Sequence, residues 1–206
     1  MATNMLQRYS SQERMNHWMV VALFALAALS GFAFFYPWLY FLSGIFGGGE
    51  LARTLHPFFG VAMVLSFSGL FFRLRADNAI GEADKAWAAK MGEMVKGNKE
   101  AMPPVGKYNY GQKMVFWVTS ICLLTLLVTG VMFWSPWFTP SVPIGLQRVA
   151  VLLHAVAAVG LVLTIFAHAY AAFWVKGTMR AMTEGVVSEG WAKANHPLWY
   201  KEVAKK

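Results

Sequence analysis

The chain has 206 residues, of which 57% are hydrophobic and only 14% charged, and its mean hydropathy is +0.45. A water-soluble domain of this length needs many more charged side chains to cover its surface, so the composition excludes one. The single cysteine, Cys122, excludes a disulfide framework, a cysteine-ligated iron–sulfur cluster and, with no Cys-x-x-Cys-His, a covalent c-type haem.

Four stretches lack Asp, Glu, Lys and Arg altogether: 15–49, 54–72, 114–147 and 149–175. Each is long enough to cross a hydrocarbon core of about 30 Å, which takes about 20 helical residues. The expected fold is all-α, an integral membrane four-helix bundle forming one domain over 1–206. Its helices are expected near 15–40, 54–74, 113–135 and 147–175. Arg8 and Arg14 ahead of the first run, with Ala27–Ala28–Leu29–Ser30–Gly31 inside it, imitate a signal peptide. The apolar run continues past Phe35, so a retained anchor is the expectation.

Between the second and third runs, Ala83, Ala86, Trp87, Met91, Met94 and Val95 alternate with charges, as in a surface helix over 82–96. The 73–113 connection holds eight Lys and Arg, the N-terminus two and the tail over 176–206 six; the outer connections hold only Arg53 and Arg148 at their edges. The positive-inside rule then places both termini and the long connection in the cytoplasm. This distribution accounts for the +8 net charge through topology and lipid contact, and leaves nucleic acid a poor partner.

Histidine positions carry the chemistry. His154 and His168 stand fourteen residues apart on the last run, an advance of roughly 21 Å that ends about 40° short of four full turns. They share a face at two depths. His17 begins the first run on the inner side, and His56 begins the second on the outer side. Depth therefore pairs His56 with His154 and His17 with His168. Two opposed imidazoles fill both axial positions of a haem iron, leaving none open for oxygen or substrate, which suits electron transfer. Two b-type haems are the expected cofactors. Gly31, Gly60, Gly69, Gly130 and Gly160 allow close packing, of a macrocycle or of helices alone. Carboxylates are missing from the spans, against a di-iron site or a proton-coupled transporter. The spans also hold few hydroxyls beyond Ser66, Ser68, Thr125, Thr129 and Thr164. His196, between Asn195 and Pro197 in the basic tail, reads as a surface residue.

Several motifs extend this reading over nearly the whole chain. They are Leu55–His56–Pro57–Phe58–Phe59–Gly60, Val95–Lys96–Gly97–Asn98, Gly106–Lys107–Tyr108–Asn109–Tyr110–Gly111–Gln112–Lys113, Leu127–Val128–Thr129–Gly130–Val131 and Ala172–Phe173–Trp174–Val175–Lys176–Gly177. With them the chain resembles the cytochrome b (gamma) subunit of membrane-bound respiratory formate dehydrogenase. The resemblance implies a periplasmic haem on His56 and His154 and a cytoplasmic haem on His17 and His168. It also implies electron transfer from a periplasmic iron–sulfur (beta) subunit, itself fed by a molybdenum or tungsten catalytic (alpha) subunit, to menaquinone or ubiquinone on the inner side. Higher-order assembly of such a complex is a further implied possibility. Asn109 and Gln112, with His168 beside them, are the expected quinone contacts, because amides bond carbonyl oxygens without burying a charge. Turning the chain into the third helix is the plainer role for Asn109. Arg53 and Arg148 are expected at haem propionates or an acidic partner, with interfacial snorkelling as the ordinary alternative. This chain has no formate-oxidising site of its own. The competing readings are a dihaem cytochrome b of a hydrogenase or of a quinol-oxidising reductase, and a non-redox membrane anchor.

Overall fold

A computed structural model describes residues 4–205, so both ends of the expected 1–206 domain, Lys206 of the tail included, lie outside the described residues. Among the described residues four helices are long and apolar enough to cross a membrane: α1 (Ser11–Phe35), α2 (Gly49–Leu74), and two later helices at Tyr110–Met132 and Ile144–Trp174. The chain packs as two compact units, one comprising Met15–Phe72 and Val118–Phe166, the other Arg73–Trp117, Ala167 onward and the N-terminal residues to Arg14.

In the first unit a four-helix bundle closes around Ala27, Met63, Leu123 and Leu161, one residue from each spanning helix. Val20, Phe24, Phe59, Phe67, Leu126 and Ile165 pack around them. Leu65, Leu124, Leu163 and Phe166 turn outward, as lipid-facing side chains must when the solvent is hydrocarbon. Small groups set the helix spacing. A Cβ on Gly69 would meet Asn16 Nδ2 at 2.7 Å, and Ser66 Oγ donates to Asn16 Oδ1 over 2.7 Å.

The helix ends differ from the expected ones for physical reasons. The first helix was expected over 15–40, but α1 begins at Ser11 and stops at Phe35. Ser10 and Glu13 form a reciprocal cap: Ser10 N donates to Glu13 Oε2 over 2.7 Å, and Glu13 N to Ser10 Oγ over 3.2 Å. Tyr36 is extended ahead of Pro37, which opens a 3-10 helix over Pro37–Phe46. Gly47 and Gly48 then take φ +85° and +116°, backbone that a side chain would strain, and α2 starts at once. The second helix therefore begins five residues before the expected 54, and Pro57 lies inside it instead of opening it. Without an N–H, Pro57 cannot bond the Arg53 carbonyl one turn back.

The second unit is built from short elements. The expected surface helix over 82–96 is two, α3 (Glu82–Ala89) and α4 (Met91–Val95), broken at Lys90; the Val95 side chain, expected on its apolar face, lies outside the described residues. The spanning helices α5 (Tyr110–Met132) and α6 (Ile144–Trp174), most of whose residues belong to the first unit, begin three positions before the expected 113 and 147. The tail is ordered: α7 (Thr178–Thr183), then β2 (Val186–Ser188) paired antiparallel with β1 (Met5–Gln7), then α8 (Glu189–Asn195) and α9 (Pro197–Val203). Tyr9, Tyr108, Ala181, Val187, Ala192 and Trp199 form its core.

Within that unit His196 corrects the surface assignment, being only 2% exposed. Its Nδ1 bonds the Gly106 carbonyl oxygen at 2.8 Å, and its Nε2 faces Arg8 Nη2 at 3.3 Å. Arg8 is itself buried, its guanidinium 4.8 Å from the Trp199 ring centre and 5.1 Å from that of Trp191. Nothing local in the tail sequence signals this burial, because Arg8 and Gly106 are 188 and 90 positions away.

Candidate functional site

Two helical hairpins build the site, and they build it twice in the same way. On α1, Ser30, Gly31 and Phe34 face His56 of α2. Ser30 Oγ lies 2.9 Å from His56 Nδ1, a Cβ on Gly31 would come 3.1 Å from His56 Cε1, and the Phe34 ring sits edge-on at 6.2 Å. At the end of α5, Thr129 and Gly130, with Phe133 just past its last residue, face His154 of α6. Here the hydroxyl lies 3.0 Å from His154 Nδ1, the Cβ would come 3.3 Å from Cε1, and the ring sits at 5.2 Å. The sequence holds the same pattern, hydroxyl–Gly–x–x–Phe, in Ser30–Gly31–Phe32–Ala33–Phe34 and Thr129–Gly130–Val131–Met132–Phe133. A histidine follows the hydroxyl by 26 residues in one copy and 25 in the other. Of these residues, sequence reasoning picked out the histidines and glycines, and named Thr129 without a role, but missed the contact of both hydroxyls with the histidines and the repeat. Aligning the chain against itself would have found both.

The two histidines so held meet each other. The ring centres of His56 and His154 are 6.3 Å apart, with an interplanar angle of 64°. Imidazole nitrogens bind metals at about 2.0–2.1 Å, and a further ~1.1 Å reaches the ring centre, so two rings opposed across one metal stand roughly 6.2–6.4 Å apart. Each ring uses Nδ1 on a hydroxyl, which leaves Nε2 for a metal. The donor set, the spacing and the apolar walls therefore fit a haem with two axial imidazoles.

The other expected residues fall as follows. His17 is half-buried in the second turn of α1, and its ring meets Trp18 edge-on at 5.5 Å. His168 is exposed near the end of α6. These two belong to different compact units. Asn109 and Gln112 cap α5 reciprocally: Asn109 N donates to Gln112 Oε1 over 3.0 Å, and Gln112 N to Asn109 Oδ1 over 2.9 Å. Arg53 is exposed on α2 with its guanidinium 5.9 Å from the Phe34 ring centre, beside a shallow cavity of about 290 Å³ lined by Phe34, Tyr40, Glu50 and Thr54. Arg148 is exposed in the second turn of α6.

Residues 8–185 match the family model for prokaryotic cytochrome b561. The chain is 48% identical over 198 residues to the "Formate dehydrogenase, cytochrome b556(fdo) subunit" of Escherichia coli strain K12, covering 96% of this chain and 93% of that protein. It is 43% identical to the nitrate-inducible cytochrome b556(Fdn) subunit of the same strain, covering 98% and 94%. A third relative, the formate dehydrogenase cytochrome b556 subunit of Haemophilus influenzae, is 41% identical with 95% and 82% covered.

Proposed function

The chain belongs to the prokaryotic cytochrome b561 family and to the cytochrome b subunits of formate dehydrogenase within it, and from that premise we propose that it links a periplasmic partner to quinone across the bacterial inner membrane. The partner is an iron–sulfur subunit joined to a molybdenum or tungsten catalytic subunit, and quinone is reduced at the cytoplasmic face. The observation that carries this reading is the pair of imidazoles 6.3 Å apart, each with its Nδ1 occupied by a hydroxyl.

His56 and His154 hold an outer haem b, and His17 and His168 an inner one; what a haem supplies in either place is reversible one-electron chemistry. The fourteen-residue spacing of His154 and His168 on one helix sets the two sites roughly 21 Å apart along α6. Arg53 and Arg148, each within two turns of an outer-haem histidine, offer guanidinium groups to propionates or to an acidic partner surface. On the inner side the amide oxygens of Asn109 and Gln112 are engaged in the cap, and their NH₂ groups remain as donors to a quinone carbonyl. His168 stands beside that site. Bringing one electron inward against a membrane potential costs about 2.3 kcal/mol per 100 mV, which formate oxidation by the partner offsets.

The test uses the purified complex. Reduced-minus-oxidised spectra are expected to show b-type bands at two haems per chain, and an absence of bands would leave a plain membrane anchor. His168→Ala should abolish the inner haem and quinone reduction while the outer haem stays reducible. Loss of both haems, or of neither, would overturn the pairing.

A further inference from the structure

Ser30 and Thr129 each own a single hydroxyl hydrogen, and the backbone takes it. Ser30 Oγ donates to Leu26 O at 2.7 Å, with Ala27 O at 3.1 Å. Thr129 Oγ1 donates to Thr125 O at 2.6 Å, with Leu126 O at 3.4 Å. Carbonyl oxygens only accept, so the hydrogen of each hydroxyl is spent on the helix. What faces the imidazole is then an oxygen lone pair, 2.9 Å from His56 Nδ1 and 3.0 Å from His154 Nδ1. For those contacts to be hydrogen bonds, each Nδ1 must carry the proton. A neutral imidazole protonated at Nδ1 has its lone pair on Nε2.

We propose that Ser30 and Thr129 are positioning residues that fix the Nδ1–H tautomer of His56 and His154, aim both Nε2 lone pairs at one iron and hold the reduction potential of the outer haem down. The proposal rests on the haem reading above and deepens it. A hydrogen bond accepted from a ligand's far nitrogen makes that ligand more basic, and a more basic imidazole favours ferric over ferrous iron. Hydroxyls achieve this without placing a carboxylate in the membrane, where a charge is costly. Helix packing alone would account for a serine or threonine bonded to its own i−4 carbonyl. It does not account for the same hydroxyl meeting an imidazole nitrogen in both hairpins. Nor does it account for a glycine following each hydroxyl, at a position where a Cβ would lie 3.1 or 3.3 Å from the ring it holds.

The experiment is a potentiometric titration of both haems in the intact complex. Thr129→Val keeps the shape of the side chain and removes the acceptor, while Thr129→Ser keeps the acceptor; Ser30→Ala probes the other hairpin. Val and Ala variants are expected to shift the midpoint potential of one haem upward and leave the second in place, and Thr129→Ser to titrate as wild type. A variant lacking a hydroxyl that assembles without its outer haem, where Thr129→Ser retains it, supports the same role. Wild-type potentials in Thr129→Val, or Thr129→Ser behaving like Thr129→Val, would overturn it. Failure of the haem reading itself looks different: wild-type complex without b-type bands, or His56→Ala retaining both haems.

Discussion

At the residue level the clearest consequence concerns pH. The Nδ1 of His196 bonds a carbonyl and its Nε2 faces a guanidinium, so the buried ring is neutral with its proton on Nδ1. Burial first, and the Arg8 charge second, hold its pKa down to about 4. In an unfolded tail the ring would titrate near 6.5. Between those values the unfolded chain binds the extra proton, so the contribution is fully present above pH 6.5 and drains as pH falls, by about 1.4 kcal/mol per unit. About 3 kcal/mol is at stake by pH 4. Hydrogen-exchange protection of β2, α8 and α9 is expected to fall between pH 7 and 5 in the wild-type complex, and His196→Gln should flatten that dependence. Equal slopes in both proteins would detach the effect from His196. Such a residue is illegible in sequence because Asn195, Pro197 and the nearby lysines suggest solvent. Its burial depends on Arg8 and Gly106, which are 188 and 90 positions away.

At the level of elements, the apolar runs gave the existence of the four spans, and local hydrogen-bonding chemistry gave their ends. Hydrophobicity averages over a window and cannot see a cap. Ser10-x-x-Glu13 starts α1 and Asn109-x-x-Gln112 starts α5, each three or four residues before the charge-free run suggested. Pro37 stops α1 although the apolar run continues, because the residue before a proline leaves the helical region. The cap on α5 also sharpens a test of the proposed quinone site. Gln112→Glu keeps the oxygen that accepts from Asn109 N, and a carboxylate suits a helix N-terminus. It replaces the NH₂ donor with a negatively charged oxygen that a quinone carbonyl cannot bond. Thermal stability is therefore expected to hold while the KM for quinone rises at least about tenfold, the effect of one lost hydrogen bond of ~1.4 kcal/mol with the repulsion of two oxygens added. An unchanged KM would leave Gln112 as a cap and nothing more.

Across the whole molecule, the proposed orientation rests on the distribution of charge. β1 pairs with β2 in the register Met5↔Ser188 to Gln7↔Val186, so the segments before α1 and after α6 meet, as an even number of spans requires. The connections 36–48 and 133–143 hold no Lys or Arg, since Arg53 and Arg148 lie within α2 and α6. The middle connection holds eight Lys and Arg, counting Arg73 and Lys113 at the helix ends that enter it. Some are paired, as in Lys107–Asp77 at 2.6 Å and Lys113–Asp84 at 2.8 Å, but the bias that orients a chain counts Lys and Arg and gives acidic residues little weight. In a background lacking Cys122, Ala204→Cys is expected to react with a membrane-impermeant thiol reagent only after the cells are opened, and Ser141→Cys in intact spheroplasts. The opposite pattern would put the Asn109–Gln112 cap on the periplasmic face. Quinone would then take its protons from outside, and electrons moving toward it would run down the membrane potential instead of building it, so the proposed energy-storing direction stands or falls with where these two cysteines react.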